Sequence, residues 1–148
     1  MTTKKMFCYI IILTTSITGL NCRGSHSLTS KEKVFKQIYI DQFRLTYFRL
    51  SLKHSFNNSK AIQEIINNDH SGFTEAILTF DDYKLIDSLT KLDNIKMVVD
   101  STEGDMRAEG AQGKRPFFFI IDKIRSKWLD SLAKERYKGS NVKEMYLN

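Results

Sequence analysis

The sequence predicts an all-α fold: a single compact bundle of four main helices joined by short helical turns. Three observations lead there. After Thr29 the apolar residues recur at steps of three and four along most of the chain. Strict alternation of apolar and polar residues over five or more positions occurs nowhere, so strands have no support. Finally, residues that open helices stand where the periodic runs begin, at Thr29, Thr79 and Pro116.

Taken in order, Thr29-Ser30-Lys31-Glu32 reads as a capping box, in which the threonine and glutamate side chains satisfy each other's free amides. Behind it Phe35, Ile38, Phe43, Leu45, Tyr47, Leu50 and Leu52 keep one apolar side to about His54. The stretch SFNNSK breaks that run. Asn58 or Ser59 then caps a short helix carrying Ile62, Ile65 and Ile66, and Gly72 marks a turn. FTEAIL, residues 73–78, is expected to form another helical turn. Thr79-Phe80-Asp81-Asp82 opens the next helix with acids in its first turn, where the helix dipole favours them. Its expected buried stripe is Tyr83, Ile86, Leu89, Leu92 or Ile95, and Val98.

Pro116 suits a first helical position, because the amide it lacks would have had no partner there. From Phe117 the last helix carries Ile121, Ile124, Trp128, Leu129, Leu132 and Tyr137. Trp128, the one tryptophan, falls within that apolar set. It is expected to be buried, with truncation to alanine costing about 3–5 kcal/mol.

A length of 148 residues is one domain's worth, enough for a single core. Hydrophobic and charged fractions of 41% and 27% are ordinary globular usage and exclude wholesale disorder. The net charge of +6 falls to +4 once Lys4 and Lys5 are set aside. The signs are mixed along the chain, and no basic run with interleaved aromatics supports nucleic-acid binding.

The N-terminus carries the clearest targeting signal. Lys4-Lys5, an apolar stretch from Met6 to Leu13, and then small and polar residues make the three-part layout of a secretory signal peptide over 1–21. The apolar stretch is too short to span a bilayer. Of the two cysteines, Cys8 lies inside that leader, so an exported chain keeps only Cys22. A lone thiol in an oxidising compartment has no internal partner, which favours thioether lipidation. Gly19-Leu20-Asn21-Cys22 resembles a bacterial lipobox. The expectation is therefore a leader over 1–21, lipid attachment at Cys22, a polar tether over 22–30 and a helical domain over 31–148. The place is the periplasm, at the membrane through the lipid; free secretion is the other reading.

No constellation for catalysis emerges. His26 lies in the tether, and His54 and His70 fall at predicted helix ends, where an imidazolium suits the dipole. Asn68-Asp69-His70 lacks any partner motif for a metal, and no serine has a G-x-S-x-G context. Asp81, Asp82, Asp87 and Asp122 read most simply as solvated or capping groups. The expectation is no enzyme, no metal and no cofactor.

One stretch stands apart. DSTEGDMRAEGAQGKRPFF, residues 100–118, places three of the seven glycines within ten positions. A P-loop fails here, since Arg115 follows Gly113-Lys114 and Ala108 stands where the first glycine belongs. A connection of this length in a compact bundle is uncommon and is usually functional or disordered. Two readings fit: a plain connector, and a surface shaped to enter another protein.

A resemblance bears on that choice. GKRPFFFIIDKIRSKWLDSLAKERY, with its Ser126-Lys127-Trp128-Leu129-Asp130-Ser131-Leu132 core, resembles the C-terminal helix of type VI secretion amidase immunity proteins. FNNSKAIQEIINNDHSGFTEAI and DDYKLIDSLTKL are similar to that family's short polar helix and the helix after it. The resemblance implies an exported all-α inhibitor, often a homodimer, whose partner is a cognate cysteine amidase toxin that cleaves peptidoglycan peptides. It also implies that a loop enters the enzyme's cleft, and its counterpart here is Thr102–Arg115. The partner-binding residues then expected are Glu103, Asp105, Arg107, Glu109, Gln112, Lys114 and Arg115. Two other readings stay open. One is a non-enzymatic envelope lipoprotein with a structural role. The other is a helical ligand carrier in which Phe117-Phe118-Phe119 line a pocket, although a helix so apolar is more simply core.

Overall fold

The structure, a computed structural model, describes residues 29–72, 75–103, 113–142 and 144. Within them the chain is all-α, with five helices and no strand. These are α1 (Ser30–Ser55), α2 (Lys60–Asn67), α3 (Phe80–Glu103), α4 (Pro116–Arg125) and α5 (Lys127–Gly139). The expected leader over 1–21, Cys22 and most of the tether lie outside the described residues. No helix among the described residues is long and apolar enough to cross a membrane.

α1 is the axis of the bundle and touches each of the other four helices. Its capping box forms as expected: Thr29 N–H donates to Glu32 Oε2 at 2.8 Å, and Glu32 N–H donates to Thr29 Oγ1 at 3.2 Å. It ends on two asparagines. Asn57 and Asn58 both take left-handed φ angles of 53° and 51°, which asparagine tolerates better than other side chains. Their amides turn back to His54 O and Lys53 O, closing the helix as a Schellman motif. Arg49 holds the turn after α2 to α1 by pairing with Asp69 at 2.8 Å.

The stretch 75–78 is not helical, contrary to expectation. Gln42 is the reason. Its side chain donates to Glu75 O and accepts from Ile77 N–H, so these backbone groups are satisfied without a helical turn. Ile77 and Leu78 are thereby driven into the core beside Tyr39, Phe43, Tyr47 and Ile86.

α3 opens on a second capping box, in which Asp82 accepts from Thr79 N–H at 2.9 Å and Thr79 Oγ1 accepts from Asp82 N–H at 3.2 Å. Its buried side is not the expected one. Ile86 is buried and Leu89 packs against the core, but Tyr83, Leu92, Ile95 and Val98 are exposed. The face turned inward is Asp82, Ile86, Thr90, Asp93 and Met97, at steps of three and four. Polar groups can be buried there because partners meet them: Tyr47 Oη donates to Asp93, and Ser55 Oγ lies 4.0 Å from Met97 Sδ.

The last segment, expected as one helix from Pro116 onward, breaks at Ser126. That residue is extended (φ −68°, ψ 140°), and its hydroxyl donates to Lys123 O while accepting from Leu129 N–H. It closes α4 and caps α5 together. α5 then buries Leu129, Ala133 and Tyr137 at four-residue steps, with the Tyr137 ring 5.4 Å from that of Tyr39.

Trp128 is a correction. It is half-exposed, because the break at Ser126 rotates α5 so that Leu129 takes the inward position. Its indole instead receives the Lys123 ammonium at 4.7 Å. Trp128→Ala should therefore cost about 1 kcal/mol, the scale of a cation–π contact, rather than a core deletion. The denaturant midpoint checks this; a loss of 3 kcal/mol or more would restore the buried reading.

Candidate partner-binding end of the bundle

The expected site lies at the end of the bundle where α1 stops and α3 does not. Ser55, the last residue of α1, is level with Met97 of α3. Residues 98–103 therefore carry α3 past the end of α1 by about 9 Å, at 1.5 Å per residue. The chain re-enters the described structure at Gly113, whose φ of 112° belongs to glycine rather than to a residue with a Cβ.

Lys114 follows, and it is turned inward. Its ammonium donates to Asn94 Oδ1 at 3.2 Å and to Ser55 O at 3.4 Å, satisfying a carbonyl at the end of α1. Asn94 stands nine residues before the end of α3, about 13 Å back along its axis. Phe117 seals the same corner, its ring 5.8 Å from that of Phe56. The segment 104–112 thus joins an overhanging helix end to a pinned return.

Of the residues expected to bind a partner, Glu103 is the last of α3. Asp105, Arg107, Glu109 and Gln112 lie outside the described residues. Lys114 is half-buried in the corner just described, and Arg115 is exposed at the N-cap of α4. The structure therefore brings Lys114 together with Ser55 and Asn94, and separates it from Arg115, which faces solvent.

The phenylalanine triplet is a second correction. Phe117 and Phe118 are exposed and Phe119 is half-buried, so the three do not form core together. Helical geometry gives the cause: consecutive residues are 100° apart, so three in a row spread over 200° and cannot all face inward. That signal was present in the sequence.

Two carboxylates are buried: Asp82 is the capping group that the sequence offered, though not a solvated one, and Asp93 was passed over. Asp82 is fully buried and accepts from Arg136 Nε at 2.9 Å. Burial, the largest influence, pushes its carboxyl up. The Thr79 amide and hydroxyl, Arg136 and Tyr39 together outweigh it and hold the group below its ordinary value. Asp93 accepts from Tyr47 at 2.6 Å and lies 3.7 Å from Lys123 Nζ and 3.5 Å from Lys96 Nζ.

His54 pairs with Asp87 at 2.8 Å. The hydrogen bond from Lys91 is the largest influence on the Asp87 carboxyl; burial pushes it up next, and the His54 hydrogen bond with the two neighbouring cations keeps it below its ordinary value. Among the described residues no group of three or more histidine, cysteine, aspartate or glutamate side chains is placed to hold a metal. No protein-family model, curated protein or solved structure matches this chain.

Proposed function

We propose that the chain is an exported immunity protein, a helical inhibitor that binds a peptidoglycan-degrading cysteine amidase. In this reading it works from the periplasm, held at the membrane by a lipid on Cys22, without cofactor or nucleic acid, and pairs as a homodimer. The inhibitory element is the segment Thr102–Arg115, between the end of α3 and the start of α4. One observation carries it: α3 overruns α1, while Lys114 and Phe117 pin the return to the body of the bundle. A segment anchored at both ends loses less entropy on entering a cleft than a free one, which favours tight inhibition. The targeting signal and the resemblance of the C-terminal helices support the partner class. The ligand-carrier reading is disfavoured, since it needs Phe117-Phe118-Phe119 around a pocket and two of them face solvent.

The test replaces Asp105–Gln112 with a Gly/Ser linker of equal length. Thermal unfolding should stay within a few degrees, because closure entropy depends on loop length and length is kept. Inhibition of an exported cysteine amidase encoded beside this chain should fall by about 30-fold or more, as loss of a binding hot spot does. Undiminished inhibition would move the binding surface to the helices and end this reading.

A further inference from the structure

α4 is a helix with one side embedded and the other bare. Inward, Ile120 is fully buried and Ile124 packs against the core. Outward, Phe118 is 74% exposed and Ile121 46%, and Phe117, 59% exposed, stands at the edge where one side of its ring meets Phe56. Positions 117, 118, 121 and 125 fall within one sector of about 100° on a helix, so the three apolar side chains and Arg125 share one face. Three large apolar groups gathered on a ten-residue helix form a patch rather than a scatter, and such patches mark contact surfaces.

Charge decides what the contact is. From Lys114 to Lys127 the chain carries five basic residues and one acid, Asp122. Lys114 and Lys123 are engaged with Asn94 and Asp93, but Arg115, Arg125 and Lys127 are exposed at the two ends of the apolar face. A second copy of this chain would bring like charges together across such a contact. An anionic bilayer surface would satisfy both features: rings enter the boundary of the acyl region while guanidinium and ammonium groups meet phosphates.

We infer that the outer face of α4, Phe117, Phe118 and Ile121 with Arg115, Arg125 and Lys127, is a contact surface for anionic lipid headgroups. It is independent of any acyl group at Cys22 and of the amidase reading. It would lay the chain on the membrane by α4.

The experiment uses the chain from Arg23 onward, so that neither the apolar leader nor a lipid contributes. Among the described residues the buried core lies between Tyr39 and Val142, all of it kept in this chain, and a cooperative thermal transition checks its fold. Flotation is compared between vesicles of phosphatidylglycerol with phosphatidylcholine and vesicles of phosphatidylcholine alone. Binding should favour the anionic vesicles and weaken as salt is raised. Phe118→Ser should lower the partition about tenfold with unchanged thermal unfolding. Arg115→Gln and Arg125→Gln should each lower it about fivefold. Equal partition into both vesicle types, or an unaltered partition of Phe118→Ser, would overturn the inference. So would a dimer in solution that Phe118→Ser dissociates while vesicle binding is nil, which makes the face a seam between copies. Amidase inhibition weakened by Phe118→Ser without vesicle binding would equally overturn it, in favour of a protein contact.

Discussion

Asp82→Ala is expected to destabilise the protein by about 2–3 kcal/mol, because it removes both the side-chain cap of α3 and the buried carboxylate that Arg136 meets. The carboxylate has no exposed surface and serves two elements at once. It accepts the Thr79 amide and hydroxyl that start α3, and it accepts Arg136 Nε from α5. Removing it leaves the helix start without its cap and turns the part-exposed Arg136 guanidinium over to water. The neighbouring Tyr39 hydroxyl, whose ionisation is suppressed by burial first and by the Asp82 charge next, loses its polar neighbour too.

The pH dependence carries the opposite information from a simple core deletion. The folded carboxyl sits below its ordinary value of 3.8, so the folded state binds this proton less readily than the unfolded chain. Its contribution is therefore fully present above about pH 4 and is lost as pH falls through the folded value. Urea midpoints measured from pH 7 downward should show the wild type losing stability in acid more steeply than Asp82→Ala. Parallel curves for the two proteins would exclude Asp82 as an ionised partner in the folded state.

How much of this was legible depends on whether the cause of a feature is local. Both capping boxes were, since Thr29 with Glu32 and Thr79 with Asp82 are three residues apart. So was the start of α4 at Pro116, where the missing amide is itself the signal. The inward face of α3 was not. Its position is decided by Tyr47 and Arg136, 46 and 54 residues away from the carboxylates they meet. A reading that counts apolar residues assigns Leu92 or Ile95, and Val98, to the core, and only the distant partners show that Thr90 and Asp93 belong there instead. The break at Ser126 was hidden for a different reason: no glycine or proline marks it, and the serine hydroxyl does both capping tasks. At the candidate site, the helix end and the pinned corner follow from structure, whereas the outward phenylalanines could have been foreseen from their adjacency.

Asp93→Ala should cost about 3 kcal/mol, and its pattern of coupling is more telling than its size. Asp93 is buried on α3, accepts the Tyr47 hydroxyl of α1 at 2.6 Å, and lies 3.7 Å from Lys123 of α4. It is thus the point where three helices meet through polar groups. α4 has few other ties of this kind, since only Ile120 of its side chains is fully buried. Tyr47→Phe removes the hydroxyl but leaves the ring in the core, so it should cost about 1.5–3 kcal/mol, the range for a hydrogen bond to a charged group. The double variant should be less destabilised than the sum of the singles by 1 kcal/mol or more, because residues in one network do not act independently. Additivity within about 0.5 kcal/mol would mean that the short Tyr47–Asp93 contact contributes no energy of its own. Hydrogen exchange separates the roles of the two partners. Asp93→Ala releases Lys123 and should raise exchange at the amides of α4 more than Tyr47→Phe does, since only the former frees the cation. Because α4 follows directly on the pinned return at Lys114 and carries the outward aromatic face, a loosened α4 should weaken whatever that end of the bundle binds, with the core of α1 and α5 still protected.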